Sequence, residues 1–209
     1  MAQVKLTKNA LRSEQVRLGQ LEKYLPTLQL KKAMLQIQVN EVRVEILRLA
    51  QEFDAARLGA SEASGLLSQH IGVDLHASAK VEEIKKEYEN VAGVDIPLFE
   101  EVIFAPFEYS LLTTPSWLDG AVLLLRKMAR AKARVLVAEE KKAALEKELR
   151  EVSIRVNLFE KNLIPNAKQN IKRIKIFLGD QELAAVGQAK VAKAKIEAKK
   201  RLKKAEMQI

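Results

Sequence analysis

The chain contains no cysteine. Disulfides, thiolate nucleophiles and cysteine-ligated metals are therefore excluded, which fits a reducing compartment. Aromatic residues are scarce at 5%, against 48% hydrophobic residues overall. The apolar content is mostly Leu, Val, Ile and Ala, which suits a narrow helix seam better than a broad globular core. No uncharged apolar run approaches the ~20 residues of a spanning helix. Ala121 to Leu125 is closed by Arg126 and Lys127, and Val102 to Phe107 by Glu108. Met1 to Lys8 lacks the apolar stretch of a signal peptide. The expectation is no direct membrane insertion: a soluble protein, or one attached to a membrane machine from outside.

Catalytic signatures are equally thin. Gly65, Gly72, Gly93 and Gly179 never assemble into a phosphate-cradling loop followed by Lys-Ser or Lys-Thr, so the chain is not expected to hydrolyse a nucleotide alone. Its two histidines, His70 and His76, flank Asp74 at a spacing that matches no specific metal site, and an ordinary polar loop is the reading preferred. Glu100 with Glu101, and Glu139 with Glu140, are neighbours whose side chains diverge, unlike the converging acids of a catalytic pair. Ser61, Ser64 and Ser68 lack an orienting His-acid pair. The reading is a noncatalytic chain with no catalytic residue, no cofactor and no metal.

What the sequence does contain is two long heptad runs. The first is Leu18, Leu21, Leu25, Leu28, Leu35, Val39, Val42, Ile46, Leu49 and Phe53. The second is Leu124, Met128, Ala131, Val135, Ala138, Leu145, Leu149, Val152, Val156, Phe159 and Leu163. Steps of three and four, with Lys32 and Lys142 filling skipped positions, keep one seam facing a partner in a left-handed coiled coil. The expected fold is mainly α: a long antiparallel two-helix coiled coil with a small middle domain. Residues 1–68 form the N-terminal helix, 69–116 the middle domain with a β-hairpin, and 117–209 the C-terminal helix with its basic end.

Details follow from local chemistry. Thr7 or Asn9 caps the first helix. Pro26 either kinks that helix or begins it, and continuity is preferred because the leucines stay in phase across it. A second apolar set, Leu30, Ile37, Val44 and Leu58, lies off the seam and calls for a third surface or for cover by the middle domain. Strands are read at Val81 to Val91 and Val94 to Phe104, joined around Ala92 to Asp95, with helix a competitor for Val81 to Glu89. Pro115 or Ser116 marks the last helix's start. Pro165 interrupts it mildly, and two steps of four from Leu163 through Ala167 to Ile171 form a stutter.

Formal charge is +9 and uneven. Lys190 to Lys204 holds eight basic residues against Glu197 alone, which suits an acidic partner surface, a polyanion or a solvated tail. No aromatic residue interleaves there for base stacking, so no direct nucleic-acid partner is expected.

Three stretches carry a more specific likeness. They are Pro26-Thr27-Leu28-Gln29-Leu30-Lys31-Lys32, Asn90-Val91-Ala92-Gly93-Val94-Asp95-Ile96-Pro97, and Arg155-Val156-Asn157-Leu158-Phe159-Glu160 leading to Leu163-Ile164-Pro165. With Ile171 to Lys175 and the lysine-rich end, they make the chain resemble the D subunit of the V-type (A/V-type) ATPase or ATP synthase, the central-stalk rotor subunit. The resemblance implies a noncatalytic shaft turning inside a head of A and B subunits that handle ATP. It implies contact with the small F subunit of the stalk and with an adapter to the membrane ring. It also implies a peripheral position on the cytoplasmic side of a membrane, in a complex that couples ATP to ion (hydrogen ion) transport. A shaft must present unequal faces to its surroundings. The candidate head-facing contacts are Lys31, Lys32, Arg43 and Arg48 on the first helix, and Arg150, Arg155, Lys168, Lys172, Arg173 and Lys175 on the last. The competing reading is a free-standing coiled-coil scaffold or chaperone, and a polyanion binder stands behind it.

Overall fold

A computed structural model describes residues 5–62, 65, 74–110 and 114–206. It is mainly α, with one small two-stranded region. Helix α1 runs Lys8–Glu62, a short α2 spans Leu75–Ser78, and strands β1 (Val81–Val91) and β2 (Val94–Phe104) follow. The last part comprises α3 (Leu118–Leu158), a π-turn at Phe159–Leu163, and α4 (Ile164–Glu206). The expected extension of the first helix to residue 68 lies largely outside the described residues.

Capping decides where α1 begins. Thr7 Oγ1 accepts from the Ala10 N–H at 3.2 Å, whereas Asn9 lies inside the helix, so Thr7 satisfies one of the donors a helix leaves open. Pro26 sits within α1 and does not end it.

The chain divides into two compact units, Met1–Leu28 with Arg155–Ile209, and Gln29–Ile154. In the first, Glu22 pairs with Lys168 at 3.0 Å and Lys8 with Glu182 at 3.7 Å. Here α4 departs from the expected seam. Val156 and Ile164 are buried eight residues apart, and Ala167 and Ile174 a further seven. Two regular turns of a seam advance seven residues, so one residue is extra. The π-turn absorbs it, with the Ile164 N–H bonding the Phe159 carbonyl. Ile164 thereby takes the buried place expected of Leu163, which is half-buried. Pro165 follows as the second residue of α4, where the turn has already broken the regular ladder.

In the second unit the seam residues Leu35, Val39, Val42 and Leu49 of α1 are buried, as are Ala138, Leu145 and Val152 of α3. The polar flanks are cross-linked: Arg43 to Glu146 at 2.8 Å, Glu45 to Lys141 at 3.1 Å, Glu52 to Arg134 at 2.8 Å. Numbers rise on α1 as they fall on α3. The off-seam set stays in water: Leu30, Ile37, Val44 and Leu58 are 57–68% exposed. The middle segment therefore does not cover them, because the hairpin lies against α3. Lys86 of β1 pairs with Glu140 at 2.6 Å, and Arg126 stacks over the Phe104 ring at 5.2 Å while its Nε donates to the Ser78 carbonyl.

The strands pair antiparallel from Val91 opposite Val94 to Val81 opposite Phe104, so β1 is strand and not helix over Val81 to Glu89. Ala92 and Gly93 both have positive φ, 53° and 78°, the pattern of a tight two-residue hairpin turn. Asn90 Oδ1 accepts from the Gly93 N–H and its Nδ2 donates to Asp95, clamping the turn. Ile96 and Val102 bury the inner face of β2.

Candidate functional site

Cationic side chains on the outer faces of the helices form the candidate site, and the structure sorts them by what holds them. In the second unit Lys31 is half-buried, its Nζ 2.7 Å from Glu148. A Cβ built on Gly93 would stand 3.7 Å from the same nitrogen, so the hairpin's turn lies beside Lys31. Arg43 and Lys142 both reach one acid, Glu146, at 2.8 and 3.9 Å. Its pKa is lowered, first by the hydrogen bond from Arg43 and then by the charges of Lys142, Arg43 and Arg150. Arg150 also lines a shallow groove of about 310 Å³ with Glu146 and Ile154. Arg48 braces Glu52 within its own helix at 3.7 Å. Lys32, which fills a position of the seam, is half-buried.

In the first unit Lys168 is tied to Glu22. Lys172, Arg173 and Lys175 are exposed, as is Arg155. Lys168, Lys172 and Lys175 follow one another at steps of four and three, so they share a helix face on which Arg173 is offset. The lysines from Lys190 to Lys200 are exposed too. Sequence reasoning singled out the cations and passed over their acids, Glu22, Glu146 and Glu148. These stand on heptad flanks, where opposite charges meet across a seam, but only the register tells which cation each one meets.

The remaining polar clusters resolve locally. Asp74 Oδ1 accepts from the His76 N–H at 2.9 Å as the cap of α2, and His70 lies outside the described residues. Among the described residues no group of three His, Asp or Glu is placed to hold a metal ion. None of their helices is long and apolar enough to cross a membrane.

Each unit is thus a helical scaffold laced by ion pairs, and the second carries a hairpin bound along its side. Residues 10–194 match the family model of the ATP synthase D subunit. The chain belongs to the ATP synthase D-subunit family. It is similar to the V-type ATP synthase D subunit of Chlamydia caviae, 47% identical over 200 residues that cover 95% of this chain and 96% of that one. The V-type ATP synthase D subunit of Chlamydia trachomatis serovar L2 is 43% identical over 201 residues, covering 94% and 97%. That of Chlamydia pneumoniae is 42% identical over 199 residues, covering 95% of each. As a D subunit, the chain is a noncatalytic rotor component of the central stalk and not an enzyme.

Proposed function

We propose that this D subunit is the shaft of a V/A-type ATPase or ATP synthase, built as an antiparallel two-helix coiled coil over residues 1–68 and 117–209, with residues 69–116 as the middle domain. The shaft turns inside a head of A and B subunits. Its middle domain lies nearer the small F subunit and the adapter to the ion-translocating ring, on the cytoplasmic side of the membrane. The observation that carries this reading is the ordered set of ion pairs in each unit, whose residue numbers rise along α1 as they fall along the partner helix. Paired helices resist twisting better than loops, and cross-helix pairs on both flanks fix their register.

Most of the ten candidate cations divide into two tasks. Lys31, Arg43, Arg48 and Lys168 have carboxylates within 4 Å and brace the helices. Arg150, Lys172, Arg173 and Lys175 are exposed and offer the head a changing charge as the shaft turns; Arg155 is exposed as well, and Lys32 is half-buried at the seam. Such contacts must be modest and spread out. A rotor couples through differences in affinity among angular states, and one deep socket would trap a single state.

Reconstituting an A–B head with and without this chain tests the proposal. Nucleotide-driven rotation of a bead on the chain is expected, and coupling of hydrolysis to ion movement should need it. Unchanged coupling in its absence would refute the shaft. Neutralising Lys172, Arg173 and Lys175 together is expected to lower torque while leaving the isolated chain's helicity unchanged.

A further inference from the structure

Near one end of the second unit the two helices meet across small side chains, Ala55 and Ala56 on α1 and Ala131 on α3, and a groove of about 370 Å³ opens between them. The α3 wall carries Lys127, Arg130 and Arg134, spaced three and four apart and therefore on one face. The single acid lining the groove is Glu52, which already meets Arg134 at 2.8 Å and Arg48 at 3.7 Å. Lys127 and Arg130 have no carboxylate within 4 Å among the described residues. The same two faces continue into exposed leucines: Leu58, 64% exposed, lies three residues past Ala55, and Leu123, 69% exposed, four residues before Lys127. Glu62 stands a turn beyond Leu58 and is exposed.

These features point to one kind of occupant. An alanine floor lets another backbone approach closely, and large apolar side chains left in water beside it gain by being covered. A wall with two cations lacking an acid gains by meeting carboxylates. We propose that this groove docks an acidic helix of another subunit, bearing large aliphatic side chains toward Leu58 and Leu123 and carboxylates toward Lys127 and Arg130. That the donor belongs to the rotary assembly rests on the shaft reading. The groove itself does not.

The test uses the full chain and a labelled three-heptad peptide with leucine at its seam and glutamate on both flanks. Saturable binding that weakens as salt rises is expected, because rim charges are screened. The double variant K127E/R130E should bind about tenfold or more weakly, and L58A/L123A should also weaken binding, both with wild-type helicity. Equal binding to wild type and K127E/R130E, or equal binding of a lysine-flanked peptide, overturns the proposal. In the purified assembly, a photoreactive residue at position 127 should capture an acidic helical segment of a neighbouring subunit. Capture of a basic segment, or of no subunit, counts against the docking. Peptide binding in a chain that supports no rotation would remove the shaft and keep the groove, while rotation without peptide binding would do the opposite.

Discussion

Replacing Leu35 and Leu30 separately by alanine asks whether the seam, and not general hydrophobicity, holds the second unit together. Both residues lie on α1, five positions apart in one unit, so both report on the same transition. Leu35 is 0% exposed and Leu30 63% exposed. Truncating Leu35 removes roughly three buried methylene-sized groups at about 0.8 kcal/mol each, or ~2.4 kcal/mol of transfer free energy. The cavity left between packed helices adds more, giving ~3 kcal/mol within the range of about 2–5 measured for such changes. At Leu30 most of the side chain is already in water, and alanine's better helix propensity returns a few tenths of a kcal/mol, so the net cost should stay below ~0.5 kcal/mol. Followed by far-UV circular dichroism in urea and on heating, Leu35→Ala should lower Tm by about 6–12 °C, at ~2–4 °C per kcal/mol for a chain of this size. Leu30→Ala should lower it by less than about 2 °C by the same conversion. Equal losses would refute the reasoning, because they would mean that the α1 face carrying Leu30 is covered in the isolated chain.

Three further outcomes are expected. Glu146→Gln removes a carboxylate whose folded pKa is depressed; such a group stabilises above its unfolded pKa and loses that contribution as pH falls through the folded value. The variant should therefore be less stable than wild type by under ~1 kcal/mol at pH 7, the surface-pair range, and the gap should close in acid below the ordinary carboxylate value of 4.5 and shrink in high salt, as read by urea midpoints. Gly93→Ala forces a side chain to φ +78° at a cost of about 1–2 kcal/mol, with no steric clash since Lys31 Nζ would sit at 3.7 Å; Ala92→Gly, at φ 53°, should not destabilise. Deleting Asn162 should convert the π-turn to regular α-helix and drive Pro165 against an intact ladder at a cost of ~3 kcal/mol, whereas the same deletion with Pro165→Ala should recover most of it; equal melting temperatures for the two would show that the proline does not need the wide turn.

Legibility followed the range of the interaction. Seam residues such as Leu35, Val39, Val42, Leu145 and Val152 announce themselves by spacing, because helix periodicity is local and a buried stripe must repeat at it. The hairpin was readable for a similar reason: a tight turn at Ala92-Gly93 flanked by apolar runs is short-range chemistry. Asn90's clamp on Gly93 and Asp95 is equally local, yet several side chains there could have played its part. Other points needed the fold. Nothing in the order of residues says that Arg43 meets Glu146, that Lys31 sits beside Gly93, or that Lys127 and Arg130 rim an alanine-floored groove. Each depends on a register fixed by the whole seam and on residues far apart along the chain. The sequence placed a stutter from Leu163 through Ala167 to Ile171, whereas the extra residue lies earlier, between Val156 and Ile164, as a π-turn whose position depends on packing and on the proline that follows. The sequence by itself determined which faces are apolar and where the chain turns, since those are properties of neighbours. Only the tertiary structure decided which charges meet and which apolar faces stay uncovered, since those are settled by how distant segments align.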